Sequence, residues 1–198
     1  MFENRTPINH CKLFQGKVEV YQGKNEDGTK NLAYYDRIIA YVTRISLKDF
    51  DYNGEKIQAW KIGLRDENGD LAILSLGYSS GATRGFFNSL VAADLTKPIS
   101  IGCYVKITDH GEFNLPSIAQ GGKLVRWKYN DVPRTERTKV GSKDVINDEK
   151  AIVWMLAVVK EIQEKLQSLP PVTAKQLAKD LDGVIVPDGT AELNDLPF

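Results

Sequence analysis

Cysteine and histidine are scarce in this chain: Cys11, Cys103, His10 and His110 are all that its 198 residues contain. Two cysteines make no disulfide framework. His10 and Cys11 are adjacent, which is poor spacing for metal ligands, and no second cysteine pair completes a zinc site, so neither metal nor cofactor is expected. No Gly-x-Ser-x-Gly elbow occurs. Gly77-Tyr-Ser-Ser-Gly81 lacks the Gly-Lys-Ser/Thr that follows in a phosphate-cradling loop. Acid pairs such as Asp49/Asp51 and Asp66/Glu67 fall in turn-like stretches, where solvation accounts for them. With no catalytic constellation present, the chain is read as a non-enzyme.

Long apolar runs are also missing. The longest, Ala151 to Val159, has nine residues between Lys150 and Lys160, against the roughly 20 that a membrane-spanning helix needs. The start, Met1 to Pro7, has no basic stretch followed by an apolar one, so no export signal is expected. The expectation is a soluble cytoplasmic protein without membrane contact. At 42% hydrophobic and 26% charged residues, the chain has enough apolar material for a core, which excludes general disorder.

A charge surplus is absent as well: 26 basic residues balance 26 acidic ones. This excludes a uniformly basic nucleic-acid coat, but the balance is uneven along the chain. Asp180, Asp182, Asp188, Glu192 and Asp195 meet no Lys or Arg in the last 19 residues, leaving 26 basic against 21 acidic residues, +5, in residues 1–179. The densest basic stretch holds Lys123, Arg126, Lys128, Arg134, Arg137, Lys139 and Lys143 against Asp131 and Glu136. A basic body with an acidic end is a polarity that chance also produces on solvated surfaces.

Hydrophobic periodicity organises the body. Within residues 1–35, Lys17-Val-Glu-Val-Tyr21 and Leu32-Ala-Tyr-Tyr35 flank the turn-like Asn25-Glu-Asp-Gly28 and suggest an N-terminal hairpin. Arg37 to Lys48, Lys56 to Asp66 and Leu71 to Leu76 alternate as three strands of a meander, with Trp60, Ile62 and Leu64 pointing to the core. A helix follows. Ser79 or Ser80 caps it, Phe86, Phe87, Leu90 and Val91 form its apolar stripe, and Lys97-Pro98 closes it. Ile99 to Thr108 is a fourth strand with Ile99, Ile101, Cys103, Val105 and Ile107 inward. Glu112 to Gln120 with Lys123 to Tyr129 make a fifth, interrupted near Gly121-Gly122.

Three strands, a helix and two strands are the order of a five-stranded OB-fold barrel with its helix between strands 3 and 4. The rival is a generic α+β sheet crossed by one helix. The fold class is therefore mainly β, with an N-terminal hairpin (1–35), an OB-fold domain (36–130), a basic linker (131–147), a helical extension (148–183) and a flexible acidic tail (184–198). In the extension, Ile152, Met155, Val159, Ile162, Leu166 and Leu169 recur at heptad spacing. That stripe packs on the barrel or pairs two copies as a homodimer. Pro170-Pro171 ends the helix, and Thr173-Ala-Lys-Gln176 opens a short second one.

Binding chemistry is better represented than catalysis. Lys123-Leu-Val-Arg-Trp-Lys-Tyr129 interleaves cations with aromatics, and period two separates Val125, Trp127 and Tyr129 from Leu124, Arg126 and Lys128. A single nucleic-acid strand needs its phosphates neutralised and its bases stacked. Arg44, Lys61, Arg65, Lys106, Lys123, Arg126 and Lys128 are the candidate backbone contacts, and Tyr104, Trp127 and Tyr129 the candidate stacking groups. Whether Trp127 is a platform or core stays open.

The chain ends Asn194-Asp-Leu-Pro-Phe198. A terminal Phe offers a ring for an apolar pocket and a carboxylate for a cation, with Pro197 limiting the freedom lost on binding. This ending resembles the acidic tip of bacterial single-stranded DNA-binding proteins, which finish Asp-Asp-Asp-Ile-Pro-Phe. Asp195, Leu196, Pro197 and Phe198 match the tip, while Leu193 and Asn194 stand where acids are usual. The resemblance implies an OB domain that wraps DNA and a tip that recruits replication, recombination and repair proteins, here in a divergent version from a bacterial cell or a phage-infected host. The expected function is sequence-independent protection of single-stranded DNA. The alternative is an OB-fold adaptor of a replication or recombination complex that binds protein and no DNA.

Overall fold

A computed structural model of the chain describes residues 8–52, 54–109, 111–140 and 143–170. It is mainly β. Nine strands form one curled, open sheet: β1 (Ile8–Phe14), β2 (Lys17–Lys24), β3 (Lys30–Tyr35), β4 (Arg37–Tyr52), β5 (Glu55–Arg65), β6 (Leu71–Gly77), β7 (Ile99–Thr108), β8 (Gly111–Gln120) and β9 (Lys123–Leu124). Their spatial order is β3-β2-β1-β6-β5-β4-β7-β8-β9. Helix α1 (Gly81–Leu90) follows β6, a hairpin of β10 (Glu136–Val140) and β11 (Lys143–Asn147) follows β9, and α2 (Glu149–Ser168) comes last.

The sequence order of three strands, a helix and two strands recurs as β4-β5-β6-α1-β7-β8, but the expected strand number of five is corrected to nine. Four strands are added to the sheet: β1, β2 and β3, and β9, which the expected fifth strand contributes beyond Gly121-Gly122. Residues 8–35, read as an appended hairpin, supply three strands, and β1 joins the sheet by pairing in parallel with β6, Cys11 opposite Leu74. The stretch read as a linker contains the β10–β11 hairpin, a separate two-stranded sheet.

Strand β4 holds the curl together. Its first part, Arg37 to Ala40, pairs with β7, and the part from Tyr41 onward pairs with β5, with an irregularity between Val42 and Arg44. A strand shared in this way must bend, and a bulge supplies the bend. The curl brings the β1–β2 turn to β8, where the Gly16 amide donates to Asn114 Oδ1 at 3.0 Å.

The core lies between sheet and helices. Ile45, Trp60, Ile62, Leu64, Leu74, Ile101 and Ile118 from the strands meet Phe86, Phe87 and Leu90 of α1 and Met155, Val159 and Ile162 of α2. Trp60 is core, as expected: it is 2% exposed, and its Nε1 donates to the Tyr78 carbonyl at 3.0 Å. Ser80 caps α1 by accepting from the Thr83 amide. The heptad stripe of α2 packs on the chain's own core, with Leu166 and Leu169 at its margin. A second copy would have to use the opposite face, where Val153 and Leu156 are exposed.

Two local expectations are corrected. Gly121 and Gly122 do not interrupt a strand; both take positive φ (57° and 77°) and reverse the chain between β8 and β9, as a two-residue hairpin requires. On β7 the inward alternation stops halfway. Ile99 and Ile101 are buried, but Val105 is 37% and Ile107 76% exposed, because the outer end of the strand runs past the core. The second helix expected after Thr173 and the tail lie outside the described residues. Among the described residues no helix is long and apolar enough to cross a membrane.

Candidate nucleic-acid interface

Most of the described candidate residues fall into three groups. The first is on the outward face of β4–β5–β6. Opposite residues of paired strands share a face, and the pairing sets Arg44 against Gly63, Ser46 against Lys61, and Tyr41 against Arg65. Arg44, Lys61 and Arg65 therefore stand together. A side chain at Gly63 would collide with the stem of Arg44, its Cβ only 2.6 Å from Arg44 Cγ, so the glycine lets that arginine lie across β5. Lys61 Nζ donates to Ser75 Oγ at 2.8 Å and sits 5.7 Å from the Phe50 ring centroid, Phe50 being 42% exposed.

The second group surrounds a cleft of about 790 Å³ between the free edge of β8 and the start of α1. Trp127 and Phe113 line it with their rings, and Lys106, Arg84 and Arg134 bring positive charge. Gly85 makes room for the indole: a Cβ there would touch Trp127 Cζ2 at 3.4 Å. Trp127 is thus half-buried, packed against α1 and facing the cleft. Arg84 is held in place by the Ser79 carbonyl at 2.8 Å and Thr135 Oγ1 at 3.1 Å. Burial lowers its pKa from the ordinary arginine value, and the charge of Asp148, also on the rim, acts the other way. The first turn of α1 carries no acid to oppose the partial positive charge of its amides.

The third group does structural work. After β9 the chain leaves the sheet, but burial still alternates: Val125, Trp127 and Tyr129 are half-buried, Arg126 and Lys128 exposed. The Val125 amide donates to the Ile118 carbonyl at 2.8 Å. Asn88 of α1, fully buried, grips Tyr129 twice, accepting from its amide at 2.9 Å and donating to its carbonyl at 2.8 Å. Tyr129 OH donates to Glu161 Oε2 of α2 at 2.6 Å, and Lys128 and Lys165 pair with Oε1 of the same carboxylate. Burial alone would raise the Glu161 pKa, but the hydrogen bonds from Lys128, Tyr129 and Lys165 outweigh it and bring it down to about 2. The Tyr129 ring stands edge-on to Trp154, 6.1 Å between centroids. Lys128 and Tyr129, expected as phosphate and base contacts, are therefore engaged in clamping α2.

Tyr104 is half-buried, and its enclosed hydroxyl has no hydrogen-bond partner among the described residues; burial pushes its pKa up to about 12. Lys123 and Arg126 are exposed beside the β8–β9 turn. Asp195, Leu196, Pro197 and Phe198 lie outside the described residues. Sequence reasoning missed Arg84 and Phe113. Phe113 carried a signal in its place beside Gly111, at the tip of a hairpin, where a core residue is unexpected. Arg84 carried none, since its spacing of three and seven residues from Phe87 and Val91 sets it on the flank of the apolar stripe of α1.

Among the described residues no group of His, Cys, Asp and Glu could hold a metal ion. No protein-family model, no curated protein and no solved structure matches the chain.

Proposed function

We propose that the chain is a non-enzymatic, sequence-independent single-stranded DNA-binding protein, built on an OB-type barrel of β4, β5, β6, β7 and β8. The observation that carries this reading is the cleft, where two aromatic rings, Trp127 and Phe113, stand among Arg84, Lys106 and Arg134. Single strands are held by that combination of flat apolar surface and positive charge. The Arg44–Lys61–Arg65 face supplies further backbone contacts. The segment ending Asp195-Leu-Pro-Phe198 would recruit proteins of replication, recombination and repair, as the resemblance implies.

The test is tryptophan fluorescence during titration with oligo(dT) at several salt concentrations. Four to six phosphate contacts give log K against log salt a slope of about −3 to −4. Trp127→Ala should remove most of the quenching and weaken binding about 5- to 100-fold, the loss of one stacked base. Absence of binding at low salt would overturn the reading and leave the tail as a docking element of a protein adaptor.

A further inference from the structure

The N-terminal strands add a surface that the barrel order alone does not contain. Their outward face continues that of β4–β5–β6: His10 lies opposite Tyr21 on one side and Ile73 on the other, Ile73 opposite Gly63, and Gly63 opposite Arg44. Two residues along β1 and β2, Lys12 stands opposite Glu19, and Glu19 opposite Tyr34. Tyr34 is 51% exposed, and its ring lies 6.4 Å from that of Phe14, tilted by 39°. Two aromatic rings side by side on an exposed sheet face form a stacking surface, and no core residue needs them there.

Charge on this part of the face is already balanced. Lys12 pairs with Glu19 at 3.0 Å while its ammonium sits 4.9 Å from the Phe14 ring centroid, and Lys17 pairs with Asp36. Further along lie Arg44, Lys61 and Arg65, which pair with no carboxylate among the described residues. The β1–β2 turn that follows Phe14 meets the lining of the cleft: Gly16 is hydrogen-bonded to Asn114, and Asn114 lines the cleft.

We propose that Phe14 and Tyr34 form a second stacking platform, onto which a single strand of DNA continues from the cleft across the Gly16–Asn114 contact. The proposal rests on the single-stranded DNA reading given above. The platform adds affinity by base stacking and not by neutralising phosphate, and it lengthens the stretch of DNA that one chain covers.

The experiment is titration of the full chain with dT oligonucleotides of about 6 and about 24 nucleotides at several salt concentrations, for wild type, Tyr34→Ala, Tyr34→Phe and Trp127→Ala. Tyr34→Ala should bind the short oligonucleotide as wild type does and the long one about 5- to 100-fold more weakly, the loss of one stacked base. Its salt slope should be unchanged. Tyr34→Phe should restore wild-type affinity, since it keeps the ring. If Tyr34→Ala binds the long oligonucleotide as tightly as wild type while Trp127→Ala binds it weakly, the platform is overturned and the cleft stands. A Tyr34→Ala loss accompanied by a shallower salt slope overturns the stacking account. If wild type binds neither oligonucleotide at low salt, the underlying reading falls and the platform with it.

Discussion

Asn88 shows how a single buried polar side chain shapes the candidate interface. It sits on α1 with no exposed surface, yet both ends of its amide are satisfied by the backbone of Tyr129. Two residues before Tyr129, the indole of Trp127 lies over Gly85, one turn back along the same helix. The helix thus fixes the aromatic of the cleft by one amide and one missing side chain. Replacing Asn88 by Ala leaves a buried amide and a buried carbonyl of Tyr129 without partners, at about 1–3 kcal/mol each. Urea unfolding of Asn88→Ala should therefore show a loss of about 2–6 kcal/mol, with Trp127 emission shifted to the red as the segment detaches. The role of Asn88 was not legible in the sequence, because an Asn between apolar helix residues reads equally well as a solvated position. Trp60 was legible, since its neighbours Ile62 and Leu64 share its strand face and that face has one destination.

At the scale of elements, the segment after β9 and helix α2 depend on each other through Glu161. Its carboxylate receives Lys128, Lys165 and the Tyr129 hydroxyl, and Lys165 also donates to the Val91 carbonyl at 2.6 Å, tying the end of α1 to the same point. The sign of its pH dependence follows. The folded-state pKa is depressed to about 2 from an ordinary 4.5, so the stabilisation is complete above the unfolded value and is lost as pH falls from about 4.5 towards 2. Comparing wild type with Glu161→Gln by urea unfolding between pH 7 and pH 2 should show a wild-type advantage that is constant at neutral pH and vanishes near pH 2. A pH-independent difference would assign the effect of Glu161 to packing. The heptad stripe of α2 was legible as an apolar face, and the structure supplies its partner from within the chain. The basic-aromatic run from Lys123 to Tyr129 was legible as alternating, but its destination was not: alternation gives sides, while the partner of each side is decided by elements more than 30 positions away.

At the scale of the whole molecule, the decisive feature is the parallel pairing of β1 with β6. The two strands are some 60 residues apart in sequence, and no local pattern announces their meeting. Ile8 to Phe14 mixes Asn, His and Lys with apolar residues, so only Cys11 and Leu13 mark an inward side. In contrast, the meander β4–β5–β6 is built from neighbours joined by short turns, where alternation and turn residues suffice. The pairing has a mechanical consequence. Cys11, Val18 and Val20 belong to the same buried cluster as Ile62 and Leu74, and β1 covers the edge that β6 would otherwise expose, which leaves β3 as the sheet's outer strand. An uncovered β6 would present a row of unpaired amides and carbonyls beside apolar residues, a template for association. A chain beginning at residue 36 should therefore not behave as a trimmed domain. It should lose cooperative thermal unfolding and elute as soluble aggregate in size-exclusion chromatography, whereas the full chain should unfold in one transition that includes the N-terminal strands. A monomeric, cooperatively folding 36–198 fragment would instead show that the core of β4 to β8 stands without the three strands, and that they serve the surface on which Phe14 and Tyr34 are displayed.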